Sequence, residues 1–259
     1  MYYLDFLKAL HDRLAPPTYM EIGIRHGDSL ALAERAAVGI DPFYDLRTEL
    51  RDDVQLFRET SDEYFDREQP LEPFRGARVA FSFIDGMHLA EFVVRDFANV
   101  ERVADWTSVI VFDDILPRTA EEASRDRRTR AWTGDVFKAL AALERHRPDL
   151  ICLRVDTEPT GLGVVLGLDP LDRTLREHYD AIVAESVTPD PQHVPAPVLA
   201  RAGAVDPERV LDGSVWDLLR TARDKRTSRR RGIHAVRRAV RKDLGVRVPR
   251  PRLVDLATA

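Results

Sequence analysis

Residues 18–29, Thr18-Tyr19-Met20-Glu21-Ile22-Gly23-Ile24-Arg25-His26-Gly27-Asp28-Ser29, decide the fold. Thr18–Ile24 is a short run rich in apolar and β-branched residues, so it reads as a strand. It enters a turn with glycines at 23 and 27, where the backbone can bend sharply and lie close to a ligand. Ser29 then stands where a helix N-cap belongs, and Ser29–Ala37 predicts an alanine-rich helix. Working outward, Ala37–Ile40 predicts a second strand ending at Asp41-Pro42, Val54–Arg58 a third, Val79–Ile84 a fourth and Ser108–Phe112 a fifth. A helix over Leu89–Ala104 separates the last two, and alternation of this kind predicts a parallel sheet covered by helices on both faces. Asp149–Val155 and Gly161–Leu168, split by the polar turn 156–160, predict an antiparallel hairpin added to that sheet. Upstream, Leu4, Leu7, Leu10 and Leu14 mark an amphipathic helix that Pro16-Pro17 ends. The expected class is therefore α/β: a mostly parallel, doubly wound, Rossmann-like sheet with a C-terminal antiparallel hairpin and a basic C-terminal helical tail.

Composition narrows the function classes. Of 259 residues, 44% are hydrophobic and 32% charged, which excludes a wholly disordered or fibrous chain. No apolar run approaches the roughly 20 residues of a membrane helix, and the charged start is unlike a signal peptide. The single cysteine, Cys152, fits a reducing compartment and excludes a thiolate metal site, so a cytoplasmic location is expected. The expected divisions are an N-terminal helix (1–17), a ligand-binding α/β domain (18–188), and a proline-rich linker with an Arg-rich tail (189–259). From Arg220 onward there are 14 basic residues against three acids, whereas the preceding chain holds 25 basic and 41 acidic residues. Nucleic acid or an anionic membrane is one conceivable partner for such a tail, and its own acidic body is another. Within it, Ile233, Val236, Val240 and Leu244 share one face of a helix, as in interfacial helices or helices packed on a body. Aromatic residues for base stacking are absent there, which counts against single-stranded nucleic acid.

In an open parallel sheet, ligands bind beyond the carboxyl ends of the strands, so the residues just after each strand are the candidates. Glu21, Gly23, Gly27 and Ser29 form the first group. The spacing is not G-x-G-x-x-G and no G-x-x-x-x-G-K-[ST] occurs, so NAD and ATP are disfavoured. Asp41, ending the second strand, stands where a carboxylate accepts both hydroxyls of a ribose, or else is a solvated turn Asp. Thr60-Ser61-Asp62 after the third strand would meet an adenine edge or cap a helix. Asp85-Gly86-Met87-His88 after the fourth strand and Asp113-Asp114 after the fifth place three carboxylates and an imidazole near one spot. So much negative charge in a cleft implies a cation, and hard oxygen donors suit Mg²⁺. The alternative is that one Asp caps a helix or turns into the sheet. His88, three residues past Asp85, is the general-base candidate, with a backbone-bonding histidine as the plain alternative. Trp132 and Asp135 either overhang an acceptor pocket or start a helix.

The motifs E-I-G-x-x-x-G-x-S (Glu21–Ser29), G-I-D-P (Gly39–Pro42), F-I-D-G-x-H (Phe83–His88) and F-D-D (Phe112–Asp114) resemble those of the macrocin- and mycinamicin-type metal-dependent sugar O-methyltransferases, within the class I methyltransferases. The resemblance spans roughly Thr18 to Leu168. It implies S-adenosylmethionine held by Glu21, Gly23, Gly27, Ser29, Asp41, Asp62 and Asp85, and Mg²⁺ held by Asp85, Asp113 and Asp114. His88, assisted by Asp85, would deprotonate the acceptor hydroxyl. The expected substrate is a small hydroxylated acceptor, first a natural-product or polysaccharide sugar and next a catechol, and the expected assembly a homo-oligomer. The competing expectation is a methyltransferase-like binding protein acting through its basic tail. The family's long N-terminal extension is reduced here to one helix and the Arg-rich tail has no counterpart in it.

Overall fold

The computed structural model describes residues 1–246 and Val248; Arg247 and residues 249–259, the end of the basic tail, lie outside the described residues. In chain order the elements are α1 (Tyr3–Leu14), β1 (Thr18–Ile22), β2 (Ala36–Ile40), β3 (Val54–Phe57), α2 (Ser61–Phe65), β4 (Val79–Ile84), α3 (Ala90–Val103), β5 (Ala104–Phe112), α4 (Phe137–His146), β6 (Ile151–Val155), β7 (Leu162–Leu166), α5 (Thr174–Glu177), α6 (Tyr179–Ser186), α7 (Ala196–Leu199), α8 (Pro207–Leu211), α9 (Val215–Asp224) and α10 (Arg229–Leu244). The strands form one sheet in the order β3-β2-β1-β4-β5-β7-β6. The β3-β2, β2-β1, β1-β4 and β4-β5 pairs are parallel, and β7 runs antiparallel to both β5 and β6. The expected mostly parallel sheet with a terminal antiparallel hairpin is what the chain builds. Strand order reverses between β1 and β4, which places the ligand crevice beyond Ile22 and Ile84.

Side chains alternate between two cores. Phe81, Phe83, Val109 and Val111 face one, and Ile84, Ile110 and Phe112 the other. On the second face α2, α3 and α4 pack against the sheet, and α3 is the helix expected over Leu89–Ala104. The first face differs from expectation. The helix predicted over Ser29–Ala37 is absent: that stretch holds a single 3-10 turn, Leu30–Leu32, and β2 begins already at Ala36. Ser29 makes no side-chain cap. The link from Ile22 to Ala36 is too short for a full crossover helix once the glycine turn has used half of it.

α1, next to β1 in sequence, and two helices far from it fill the uncovered face. Phe6, Leu7, Leu10 and Leu14 of α1, Trp216 and Leu219 of α9, and Ile233, Val236, Val240 and Leu244 of α10 are all buried in the same core as Tyr19, Phe81 and Val109. Burial of each large side chain stabilises by roughly 1.5–3 kcal/mol. Trp106 at the foot of β5 donates to the Thr227 carbonyl at 2.8 Å, and Gly232 lies so close to its ring that a Cβ there would sit 1.9 Å away. The apolar stripe of α10 is therefore spent on the body of the protein itself. Its basic side chains also turn inward in part, with Arg229 reaching Asp149 at 3.2 Å and Asp169 at 3.3 Å. Among the described residues no helix is long and apolar enough to cross a membrane.

Candidate active site

The carboxyl ends of β4 and β5 lie side by side, with Ile84 paired to Phe112, so the residues that follow each strand enter the crevice together. One donor atom from each of Asp85, His88 and Asp114 falls within 4.8 Å of the others. His88 Nδ1 lies 2.5 Å from Asp114 Oδ2, and His88 Nε2 lies 3.5 Å from Asp85 Oδ1. His88 and Asp114 both hold left-handed backbone, with φ of +54° and +66°. For non-glycine residues this conformation costs energy and persists only where the surroundings enforce it, a pattern concentrated at functional sites.

Burial lowers the His88 imidazole, but contact with Asp114 and the charges of Asp85 and Asp114 outweigh it and hold the group up at about 9. Burial raises the Asp85 carboxyl to about 7 despite the opposing pull of His88, and Asp114 adds to the rise. Burial likewise pushes Asp113 well up, reinforced by Asp114 and Asp85. Packed carboxylates of this kind resist ionising together, and a cation among them relieves the repulsion.

Asp113 stands apart from the three-residue group. Its Oδ1 accepts the backbone N–H of Asp114 at 2.8 Å, and Thr160 from the β6–β7 turn bonds to the same side chain. Of the three carboxylates expected around a metal, Asp85 and Asp114 lie in the three-residue group with His88, and Asp113 does not. His88, expected beside the metal ligands, is the third member of that group.

The glycine turn meets this cluster directly. Gly23 has φ of +87°, and a Cβ on it would lie 2.1 Å from the Asp85 carbonyl oxygen, so the β1 turn and the end of β4 touch backbone to backbone. Gly27, with φ of +89°, closes the turn. Asp41 at the end of β2 accepts from Ile24 N and Arg25 N through Oδ2, both at 2.9 Å, and from Phe43 N through Oδ1 at 2.7 Å. It thus shapes the turn from the flank, beside the exposed ring of Phe43. Glu21 is fully buried beneath the turn: its two oxygens accept from Tyr19 and Ser29 hydroxyls, each at 2.7 Å, and burial raises its carboxyl to about 8. Glu21 and Ser29 therefore brace each other under the crevice. At Asp62 the structure shows an ion pair with Arg95 at 2.6 Å, while Thr60 caps α2 in a reciprocal capping box with Glu63.

Two further segments flank the cluster, the first of them the Trp132–Asp135 stretch. The strap between β5 and α4 folds back so that Trp132 stacks on His88, with ring centroids 5.0 Å apart and 19° between planes. The Arg127 guanidinium lies 6.0 Å from the centroid of the same indole. Asp135 is fully buried, accepting Ala90 N at 2.9 Å and Arg125 at 2.9 Å, and so fastens the strap to the start of α3. The other segment is the N-terminus. Tyr3 N donates to the Glu158 carbonyl at 3.0 Å and Glu158 N to the Met1 carbonyl at 2.9 Å, which pins the first residues to the β6–β7 turn.

A family model described as a methyltransferase domain matches residues 20–115, the stretch from β1 to just past Asp114. No curated protein matches the chain. Among solved structures it is similar to an O-methyltransferase from Bacillus cereus in complex with SAH, at 16% identity and a TM-score of 0.45, over 63% of this chain and 80% of that one. It is also similar to the O-methyltransferase TomG from Streptomyces achromogenes, involved in tomaymycin synthesis and in complex with SAM, at 16% identity and a TM-score of 0.45, over 64% and 80%.

Proposed function

We propose that this chain is an S-adenosylmethionine-dependent O-methyltransferase that works with a divalent cation, Mg²⁺ first, on a small acceptor bearing neighbouring hydroxyls. The acceptor classes it suits are a natural-product or polysaccharide sugar and, next, a catechol. The observation that carries the reading is the meeting of Asp85, His88 and Asp114 within 4.8 Å, in backbone contact with the turn at Gly23. The methyltransferase-domain match over residues 20–115 covers those same elements.

The donor set fits a hard cation. The Asp85 and Asp114 carboxylates offer the hard oxygen donors such a cation takes, with the His88 imidazole beside them. A cation there would supply Lewis acidity that lowers the pKa of a bound hydroxyl. The positive-φ turn and Asp41 suit a nucleoside-bearing ligand lying along β1 and β2. Bound S-adenosylmethionine would supply an activated methyl group, whose C–O bond to the acceptor forms as its C–S bond breaks, with S-adenosylhomocysteine leaving.

The chain's own residues have three tasks. Gly23 and Asp41 fix the cofactor crevice against the cluster. Asp85 and Asp114 orient the acceptor hydroxyls. In this reading the carboxylate charge that holds His88 up at about 9 is offset when Asp85 and Asp114 hold a cation, so that a neutral ring nitrogen receives the acceptor proton while Trp132 holds the ring plane. Positioning and proton removal are the main requirements, because the sulfonium methyl is already reactive and a neutral hydroxyl is a weak nucleophile.

The test is a methyl-transfer assay over sugars and catechols, followed by mass shift, with Mg²⁺ and after chelation. A gain of one methyl that chelation abolishes is expected. Turnover that survives chelation and the Asp114→Ala change would remove the cation from the reading. An absence of both turnover and calorimetric S-adenosylmethionine binding would remove the enzyme.

A further inference from the structure

The proline-rich stretch that opens the expected linker lies against the strap that carries Trp132. Val194 is buried with Ala123 and Phe137 in a small apolar cluster of their own. In the same stretch Asp190 keeps only 10% of its side chain exposed, and its two carboxylate oxygens divide between successive strap amides. Oδ1 accepts the Arg125 N–H at 3.1 Å and Oδ2 the Asp126 N–H at 3.2 Å. Gln192, itself buried, donates to the same Oδ1 at 2.9 Å, while its own carbonyl oxygen accepts from Lys138 of α4 at 2.5 Å. Burial alone would raise the Asp190 carboxyl, but the bonds from Gln192 and from the two backbone N–H groups hold it below its ordinary value, so it stays a charged acceptor.

This grip falls one residue from the anchor of the indole. Trp132 Nε1 donates to the Ser124 carbonyl at 2.5 Å, and Ser124 immediately precedes Arg125. The backbone just past Trp132 is tied elsewhere, with Thr133 N and Gly134 N both donating to the Glu122 carbonyl, so the bond to Ser124 is what aims the ring. The Arg125 guanidinium continues to Glu91 and to the fully buried Asp135, which accepts the N–H of Ala90, two residues past His88. We propose that Asp190 is a positioning residue: by fixing the backbone at 124–126 it sets the Trp132 ring against the His88 imidazole. The consequence for methyl transfer rests on the function proposed above. A solvated linker has no need of a shielded carboxylate closed on two consecutive N–H groups, whereas charge-assisted bonds of that kind hold a loop in one geometry. The spacing of 5.0 Å and tilt of 19° between the two rings persist only while that loop is held.

The test compares Asp190→Ala and Asp190→Asn with the wild type, all full length. The readout that needs no turnover is Trp132 emission, taken as the difference between each protein and the same protein carrying Trp132→Phe. An indole stacked on an imidazole is quenched, so Asp190→Ala is expected to raise Trp132 emission and move it to longer wavelength as water reaches the ring. Asp190→Asn keeps one acceptor oxygen and should fall between the other two; if Asp190→Ala does not fold, its emission decides the matter. On an acceptor found by mass shift, Asp190→Ala should lower kcat by up to about 10²-fold, with S-adenosylhomocysteine affinity unchanged. A lower thermal midpoint with Trp132 emission unaltered in both variants assigns Asp190 to stability alone and overturns the proposal. A raised emission in a protein whose wild type methylates no acceptor upholds the hold of Asp190 on Trp132 and removes the proposed function.

Discussion

Gly134 and His88 meet backbone to backbone. With φ of +56°, Gly134 carries its missing side chain toward the His88 carbonyl, and a Cβ there would lie 1.6 Å from that oxygen. The contact joins the strap that carries Trp132 to the residue on which Trp132 stacks, so the strained φ of +54° at His88 is enforced from two sides.

Gly134→Ala is therefore expected to move His88 while leaving the sheet intact. Strain and backbone displacement together should cost roughly 1–3 kcal/mol, and loss of positioning should lower turnover by about 10²-fold. Gly76, with φ of +81° and nothing within 4 Å, is the control: Gly76→Ala carries the backbone strain alone. Thermal melts and turnover of both variants check the point. If Gly134→Ala behaves like Gly76→Ala, the contact does not set His88.

Asp114→Asn and Asp113→Asn should separate in a Mn²⁺ titration by calorimetry. Asp114 lies in the three-residue group, whereas Asp113 is engaged with the Asp114 N–H and Thr160. Asp114→Asn should weaken the metal by more than about tenfold, on the scale of a lost charged ligand, and Asp113→Asn by less. Equal losses would put Asp113 back among the ligands.

Much of this was legible in the sequence because it depends on short-range pattern. Buried parallel strands read as apolar runs, and the acids at 85, 113 and 114 sit where any open sheet exposes its strand ends. What the pattern does not report depends on distance. Left-handed backbone at 114 turns its side chain toward His88, and apolar periodicity carries no sign of that. Trp132 carries two readings in the sequence, and only the folded strap brings its ring onto His88. The absent helix after Ser29 was a matter of available length. The sheet face it would have covered is taken by α1 beside β1 and by α9 and α10 over β5, the last two nearly two hundred residues later.

Burial of His11 is expected to make the protein acid-sensitive. It is buried between Tyr19 and Phe81, with centroids at 4.6 and 4.8 Å, and its Nε2 has no hydrogen-bond partner among the described residues. Burial, and to a lesser extent Lys8, lower its pKa from 6.5 to about 4. The folded state thus keeps it neutral while the unfolded chain takes up a proton as pH falls below about 6.5. Stability from this group is full above that pH and declines toward pH 4, by up to roughly 3 kcal/mol. In urea melts between pH 7 and pH 4.5, His11→Leu should lose less stability than wild type. An identical decline in both would assign the acid sensitivity to other groups.

The tail offers the sharpest contrast between sequence pattern and position. Arg238 and Val236 lie two residues apart on α10, one exposed and the other 1% exposed against the sheet. If α10 is a structural cover, Val236→Asp places a charge in the core that α1, α9 and β5 share, and should cost at least about 3 kcal/mol. Arg238→Glu, which reverses charge on the outer face, should stay within about 0.5 kcal/mol. An interfacial helix that engages anionic surfaces would respond the opposite way: the charge reversal would abolish sedimentation with anionic vesicles, and the core change would leave the fold intact. Chemical denaturation of both variants, with vesicle sedimentation as the second readout, separates the two. An unaltered denaturation midpoint for Val236→Asp would mean that α10 does not cover the sheet face at β5.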